Sequence, residues 1–169
     1  QRPAVVKRIL PALAEDEGFV GLFLDEARLA ARLTHPKIVQ TYELGQDGLS
    51  YYIAMEYVPG CDLESLLAAT RKPLPLAEAI HITLEVLEGL HYAHSLRDTA
   101  GVHLGVVHRD IAPKNILVSK GGALKLVDFG IAKARTKVSI TAPGLVLGTY
   151  SYMSPEQASG REVDCRADV

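Results

Sequence analysis

Apolar residues recur along this chain with several distinct periods, and the changes of period divide it into elements. Ala4 to Leu10 (AVVKRIL) is β-branched and apolar with one Lys inside it, which predicts a strand. Phe19, Leu22, Phe23, Glu26, Leu29, Ala30 and Leu33 recur at three- and four-residue steps, which predicts a helix over Phe19–Leu33. Ile38–Leu44 and Tyr51–Tyr57 predict two strands joined by the turn residues Gln46, Asp47 and Gly48. Val58-Pro59-Gly60 then breaks the pattern, and a boundary is expected there between parts 1–57 and 58–169.

Past that break the chain turns helical. Leu63–Ala69 predicts a short helix and Leu76–His94 a longer one, with Leu76, Ile80, Leu84, Leu87, Leu90 and His94 along one side. Ser95 to Leu104 is polar and reads as an exposed loop. Three short apolar runs follow, at Val106-Val107, Ile116–Val118 and Leu124–Val127, with Gly121-Gly122 turning between the last two. Between Ala132 and Thr149 no period is clean, which predicts a long loop of the kind that carries function.

Composition narrows the class. Hydrophobic residues make up 48% and charged residues 22%, the profile of a soluble globular protein that can bury a core. A net charge of −2 gives no reason to expect nucleic acid or an anionic membrane as partner. No apolar run approaches the ~20 residues of a membrane span, and no signal peptide opens the chain. Cys61 and Cys165 lack CxxC spacing, so a reducing cytoplasmic setting is expected. Both ends look cut, at Gln1-Arg2-Pro3 and just after Asp168.

Two constellations carry chemistry. Glu26 falls inside an apolar helical stripe, where a carboxylate is costly unless paired. Lys7, which shares a strand face with Val5 and Ile9, is its natural partner. The alternative is two charges snorkelling to solvent. The second constellation is Val106-Val107-His108-Arg109-Asp110-Ile111-Ala112-Pro113-Lys114-Asn115-Ile116-Leu117-Val118, followed 18 positions after Asp110 by Asp128-Phe129-Gly130. His81, His91, His94 and His103 form no metal-like cluster and are expected to be structural or at the surface.

HRDxxxxN followed by DFG resembles the signature of eukaryotic-type (Hanks-type) protein kinase catalytic domains. AVVK resembles the strand that supplies that family's phosphate-binding Lys, with Glu26 at the spacing of its helical partner. His35-Pro36-Lys37-Ile38-Val39 resembles the link from that helix into the next strand. Met55-Glu56-Tyr57-Val58 resembles the gatekeeper and hinge. Gly148-Thr149 and Ser154-Pro155-Glu156 resemble the end of the activation segment, and Asp168 the aspartate opening the next helix. The GTYSYMSPEQ run and the Ser95–Leu104 insert look bacterial.

The resemblance implies an α+β, bilobal fold, present in part, and transfer of the γ-phosphate of ATP to Ser or Thr hydroxyls of protein substrates. In it Lys7, held by Glu26, contacts the α- and β-phosphates. Asp110 orients the acceptor hydroxyl, and Asn115 and Asp128 bind Mg²⁺ or Mn²⁺. Val5 and Leu117 sandwich the adenine, Met55 is the gatekeeper, Glu56 and Val58 read the adenine edge by their backbones, and Asp62 contacts the ribose. His108 packs on Phe129. Arg109 beside Asp110 implies control by phosphorylation of the loop at Thr141, then Ser139 or Thr136, and dimerisation would serve phosphorylation in trans. Thr149 is expected to hydrogen-bond Asp110.

The sequence departs from the family where Ser/Thr kinases carry a Lys, two residues after the catalytic Asp: here that position is Ala112. Lys114 stands where tyrosine kinases carry Arg, and its stem could reach the same γ-phosphate. The competing function is a pseudokinase that keeps the fold as a scaffold, or a small-molecule phosphotransferase; Lys7, Asp110 and Asp128 all stand, which argues against the first. The Gly-rich loop and the later helices of the family are not in this sequence, so the 169 residues alone are expected to be marginally folded and inactive. A cooperative unfolding transition with measurable ATP turnover by residues 1–169 alone would overturn that.

Overall fold

The computed structural model describes residues 3–10, 13–48, 50–129 and 150–169. Its elements are β1 (Ala4–Arg8), α1 (Glu17–Ala30), β2 (Thr41–Asp47), β3 (Ser50–Glu56), β4 (Gly60–Asp62), α2 (Leu63–Thr70), α3 (Leu76–His94), β5 (Ile116–Ser119), β6 (Leu124–Leu126) and α4 (Pro155–Ala158). The strands form two three-stranded antiparallel sheets, ordered β1-β3-β2 and β4-β5-β6.

The start of α1 is set by a cap rather than by the apolar period. Asp16 Oδ1 accepts the Phe19 N–H at 3.1 Å, so the helix begins at Glu17, ahead of its first apolar residue. It ends at Ala30, with Ala31 still in helical geometry and its N–H bonded to Ala27 O. Leu33 nevertheless reaches the core, with only 1% of its surface exposed.

The strand expected at Ile38–Leu44 begins later, at Thr41. Its first residues have a different partner. The Val39 N–H donates to Leu126 O at 2.8 Å and the Leu126 N–H to Lys37 O at 2.7 Å, so Ile38 lies parallel to β6. Residues 37–40 thus strap one sheet to the other. On the far side of the strap, His35 stacks on Tyr92 and Lys37 pairs with Glu85, both on α3.

Two apolar clusters result. One gathers Ile9, Phe23, Ala27, Val39, Ile53 and Met55 between the first sheet and α1. The other gathers Leu33, Ile38, Leu63, Leu90, Ala93, Val106, Ile116, Leu124, Leu126 and Phe129 beneath the second sheet. Val106 and Val107 are buried there without forming a strand.

Helix α3 spans the expected residues, but of the apolar side read from the sequence only its C-terminal end, at Leu90 and His94, is packed. Ile82, Val86, Leu90 and Ala93 pack on the second cluster, whereas Leu76, Ile80 and Leu84 remain 76%, 51% and 61% exposed. The helix carries two adjacent apolar stripes, and only the one beside Gly89 is covered by described residues. The Ser95–Leu104 loop is more regular than its polarity suggested. Arg97 and His103 bridge across it, and Asp98 Oδ1 accepts the Ala100 and Val102 N–H groups at 2.9 Å each.

Gly60 marks the tightest backbone approach. A Cβ built there would lie 1.9 Å from Val118 O, inside the β4–β5 pairing. Gly60→Ala is therefore expected to lower stability by about 1–3 kcal/mol by forcing the strands apart, read as a lower thermal midpoint beside wild type.

Candidate active site

The register of β1 on β3 sets the first half of the site. Val5 lies opposite Met55 and Lys7 opposite Ile53, so Val5 and Lys7 share a face with two buried apolar side chains. From that face Lys7 Nζ reaches Glu26 Oε1 of α1 at 3.2 Å and Asp128 Oδ1, just past β6, at 2.8 Å. Glu26 is 12% exposed, against 38% for Lys7 and 43% for Asp128. Burial alone would lower the Lys7 ammonium, but the charges of Asp128 and then Glu26 outweigh it and hold it above its ordinary value. A cavity of about 30 Å³ lies behind Met55, walled by Lys7, Glu26, Leu33 and Phe129 among others.

The second half is the loop between α3 and β5. Ala112 precedes a short 3₁₀ turn, Pro113–Asn115, and the turn places Asn115 under Asp110. Asn115 Nδ2 donates to the Asp110 backbone oxygen at 2.8 Å and to its Oδ2 at 2.9 Å, in a buried contact. Lys114 Nζ lies 3.9 Å from Asp110 Oδ2, while Ala112 is buried in the core.

Strained backbone occurs both in this loop and just past β6. Arg109 has φ 66° and Asp128 φ 58°, a region that costs a non-glycine residue about 1–3 kcal/mol. Asp168 holds the first of these. Its buried carboxylate accepts the His108 and Arg109 N–H groups at 2.7 Å each, and its Oδ2 lies 2.8 Å from His94 Nε2. Gln157 Nε2 donates to Arg109 O at 2.8 Å from α4, whose Ser154 and Gln157 form a capping box. His94 read as an ordinary structural or surface residue in the sequence, and Gln157 did not stand out at all. No local pattern could have found them, since their partners lie 74 and 48 positions away.

His108 packs on Phe129, ring centroids 4.4 Å apart, as the resemblance implied. Its ring bonds require one neutral tautomer: Nε2–H donates to Val127 O at 3.2 Å, and Nδ1 accepts the Asp110 N–H at 3.3 Å. Burial pushes its pKa below the ordinary value of 6.5 despite the nearby Asp168 and Asp110.

Val58 and Leu117 are half-buried against the first cluster, beside Met55. Asp62 caps α2, accepting the Ser65 N–H and hydroxyl at 2.7 Å each; the backbone bond and then the hydroxyl hold its carboxyl below the usual range. Thr136, Ser139, Thr141 and Thr149 lie outside the described residues. Among the described residues no group of three His, Cys, Asp or Glu could hold a metal ion. No helix among the described residues is long and apolar enough to cross a membrane. One ammonium between two carboxylates, beside a buried carboxylate and a carboxamide, is an arrangement suited to an anionic substrate and a hard cation together.

A model of the protein kinase domain matches residues 1–169. The chain belongs to the protein kinase family. Among its relatives are the tyrosine-protein kinase MasK of Myxococcus xanthus, 47% identical over the whole chain and 27% of that protein. Serine/threonine-protein kinase PknB of Mycobacterium leprae is 40% identical over 99% of the chain and 26% of its own length. The kinase domain of Mycobacterium tuberculosis PknI, solved by crystallography, superposes with a TM-score of 0.72 at 33% identity, over 98% of this chain and 58% of that one. This chain therefore spans about a quarter of the curated relatives it matches. Protein kinases use ATP and a divalent cation, and the bilobal kinase fold matches the observed sheets and helices.

Because the folded state keeps His108 neutral, the unfolded chain binds a proton that the folded kinase refuses. Stability is expected to fall as pH drops below about 6.5, by up to about 1.4 kcal/mol per pH unit from this group, until its lower folded pKa is reached. Urea unfolding at about pH 7.5 and 5.5 checks it: His108→Gln should flatten that dependence relative to wild type.

Proposed function

We propose that this chain is the nucleotide-binding and phosphotransfer core of a bacterial serine/threonine protein kinase, divided at residues 57 and 58 into two lobes. The observation that carries the reading is Lys7 held between Glu26 and Asp128, beside the Asp110–Asn115 pair.

Phosphoryl transfer needs positioning and charge neutralisation more than covalent chemistry. Lys7 meets the α- and β-phosphates, with Glu26 fixing its direction. Val5 and Leu117 enclose the adenine, Met55 closes the rear of its pocket, and the backbones of Glu56 and Val58 read its edge. Asp62 has a carboxylate kept ionised by its cap, suited to a ribose hydroxyl. Asp110, oriented by Asn115, takes the hydrogen bond of the acceptor hydroxyl. Lys114, close to Asp110, steadies the γ-phosphate in place of the Lys absent at Ala112.

The residues present fit a divalent cation. Asp128 offers carboxylate oxygen, and Asn115, with its amide nitrogen committed to Asp110, has its oxygen to offer. These are hard donors suited to Mg²⁺ or Mn²⁺, which would neutralise phosphate charge when bound. Arg109 is the partner for a phosphorylated Thr141, Ser139 or Thr136, with Thr149 bonding Asp110; phosphorylation in trans would need a dimer. We place the domain in the cytoplasm.

Tyrosine is the second reading of the acceptor, favoured by Ala112 and Lys114 and by the printed name of the Myxococcus relative. Incubating the parent protein that carries this chain with Mg²⁺ and ATP, beside Asp128→Ala, tests both. Phosphate gain only in wild type, on Ser or Thr, supports the first reading, and gain on Tyr the second. No gain on the chain or on added substrates, with ATP binding retained, favours a scaffold. Asp110→Asn should reduce turnover by at least about 100-fold, and Lys114→Met by about tenfold if it steadies the transferring phosphate; steady-state rates read both.

A further inference from the structure

The strap formed by residues 37–40 ends at Glu56, the last residue of β3. The two residues are doubly tied. The Glu56 N–H donates to Gln40 O at 2.8 Å, and the Gln40 N–H donates to Glu56 Oε2 at 3.2 Å. A third tie comes from the other sheet, where Lys125 Nζ donates to the same Oε2 at 2.9 Å. The pair is sheltered, with Lys125 19% and Glu56 25% exposed.

Register explains why Lys125 points this way. Leu124 and Leu126 on either side of it are buried in the second cluster, so Lys125 takes the opposite face of β6. There it stands opposite Leu117, which in turn stands opposite Asp62. Asp62, Leu117 and Lys125 therefore form one row across the second sheet, on a single face. Two of the three are residues assigned above to the nucleotide. The third is drawn to Glu56 instead.

We propose that Lys125 is a positioning residue for the nucleotide: through Glu56 it fixes the strand end whose backbone reads the adenine edge, and so sets affinity for ATP rather than the rate of transfer. This rests on the assignment of Glu56 and Val58 to the adenine. A backbone reader works only while its peptide stays within about 0.5 Å of the binding position. Glu56 is held there by charge-assisted and neutral bonds converging on one carboxylate oxygen. Without the ammonium, the carboxylate keeps one neutral N–H and gains the freedom to turn to solvent. The strand end then has to be ordered at the moment of binding, and that ordering weakens the complex. Lys125 differs from Lys7 in kind, since it meets the carboxylate behind the hinge and not the site of phosphate transfer.

The test uses the parent protein that carries this chain as wild type, Lys125→Met, Glu56→Gln, the double variant, and the swapped pair Lys125→Glu with Glu56→Lys. ATP KM, kcat, the Kd of a fluorescent N-methylanthraniloyl ADP and the thermal midpoint are measured for each. Each single change is expected to raise KM and Kd about three- to tenfold with kcat within about twofold. The double should be no worse than the worse single, and the swap should recover only the part owed to the ion pair, since the Glu56→Lys side chain cannot accept the Gln40 N–H. Unchanged KM and Kd in the single variants overturn the proposal. So does a fall of kcat and thermal midpoint with KM unmoved, which marks a pair that only supports the fold. If wild type binds the ADP probe but phosphorylates nothing, the proposed activity falls, and the Kd series alone decides on the clamp. If wild type binds no nucleotide, both fall.

Discussion

The ion pairs of Lys7 organise the rest of the molecule. One ammonium on β1 meets a carboxylate from α1 and another from the chain just past β6. It thereby ties together the first sheet, the helix behind it and the end of the second sheet. Glu26, 12% exposed in the apolar stripe of α1, is the member that most needs a partner. Lys7 is partly exposed, and the charges of Asp128 and Glu26 outweigh the effect of its partial burial. The arrangement also has a chemical consequence. In the function proposed above, the Lys7 ammonium would exchange one anion, a carboxylate, for another, a phosphate.

A second constraint acts on the loop that carries Asp110. Left-handed backbone at Arg109 is unfavourable on its own. It persists because Asp168 collects two backbone N–H groups and His94, while Gln157 takes the Arg109 carbonyl. The strain is thus countered by residues from α3, α4 and the last turn of the chain. Asp110 itself contributes little to its own placement. Its N–H is spoken for by His108, and its carboxylate by Asn115.

Local chemistry was legible in the sequence wherever a residue's neighbours along the chain decide its role. The Lys7–Glu26 pairing, the α3 limits, the β5–β6 hairpin and the Asp110–Asn115 spacing all belong to this class. What escaped was decided by partners distant in sequence. The start of β2 moved because residues 37–39 pair with Leu126 instead. The packed side of α3 could not be read because two apolar stripes lie side by side, and only tertiary contact chooses between them. His94 and Gln157 looked ordinary for the same reason. Lys125 did not stand out within the apolar run Leu124–Val127, and only the register against Leu117 shows which face it takes.

The strap at 37–40 bears on how the two sheets can move. It bonds Leu126 on one side and Glu56 on the other, and Lys37 and His35 fasten its near end to α3. A rotation of the first sheet over the second that keeps these bonds would keep Glu56 beside Lys125. Lys7 reaches the end of the second sheet by a different route, through its ion pair with Asp128. In the function proposed above, adenine reading rests on the first of these ties and phosphate contact on the second.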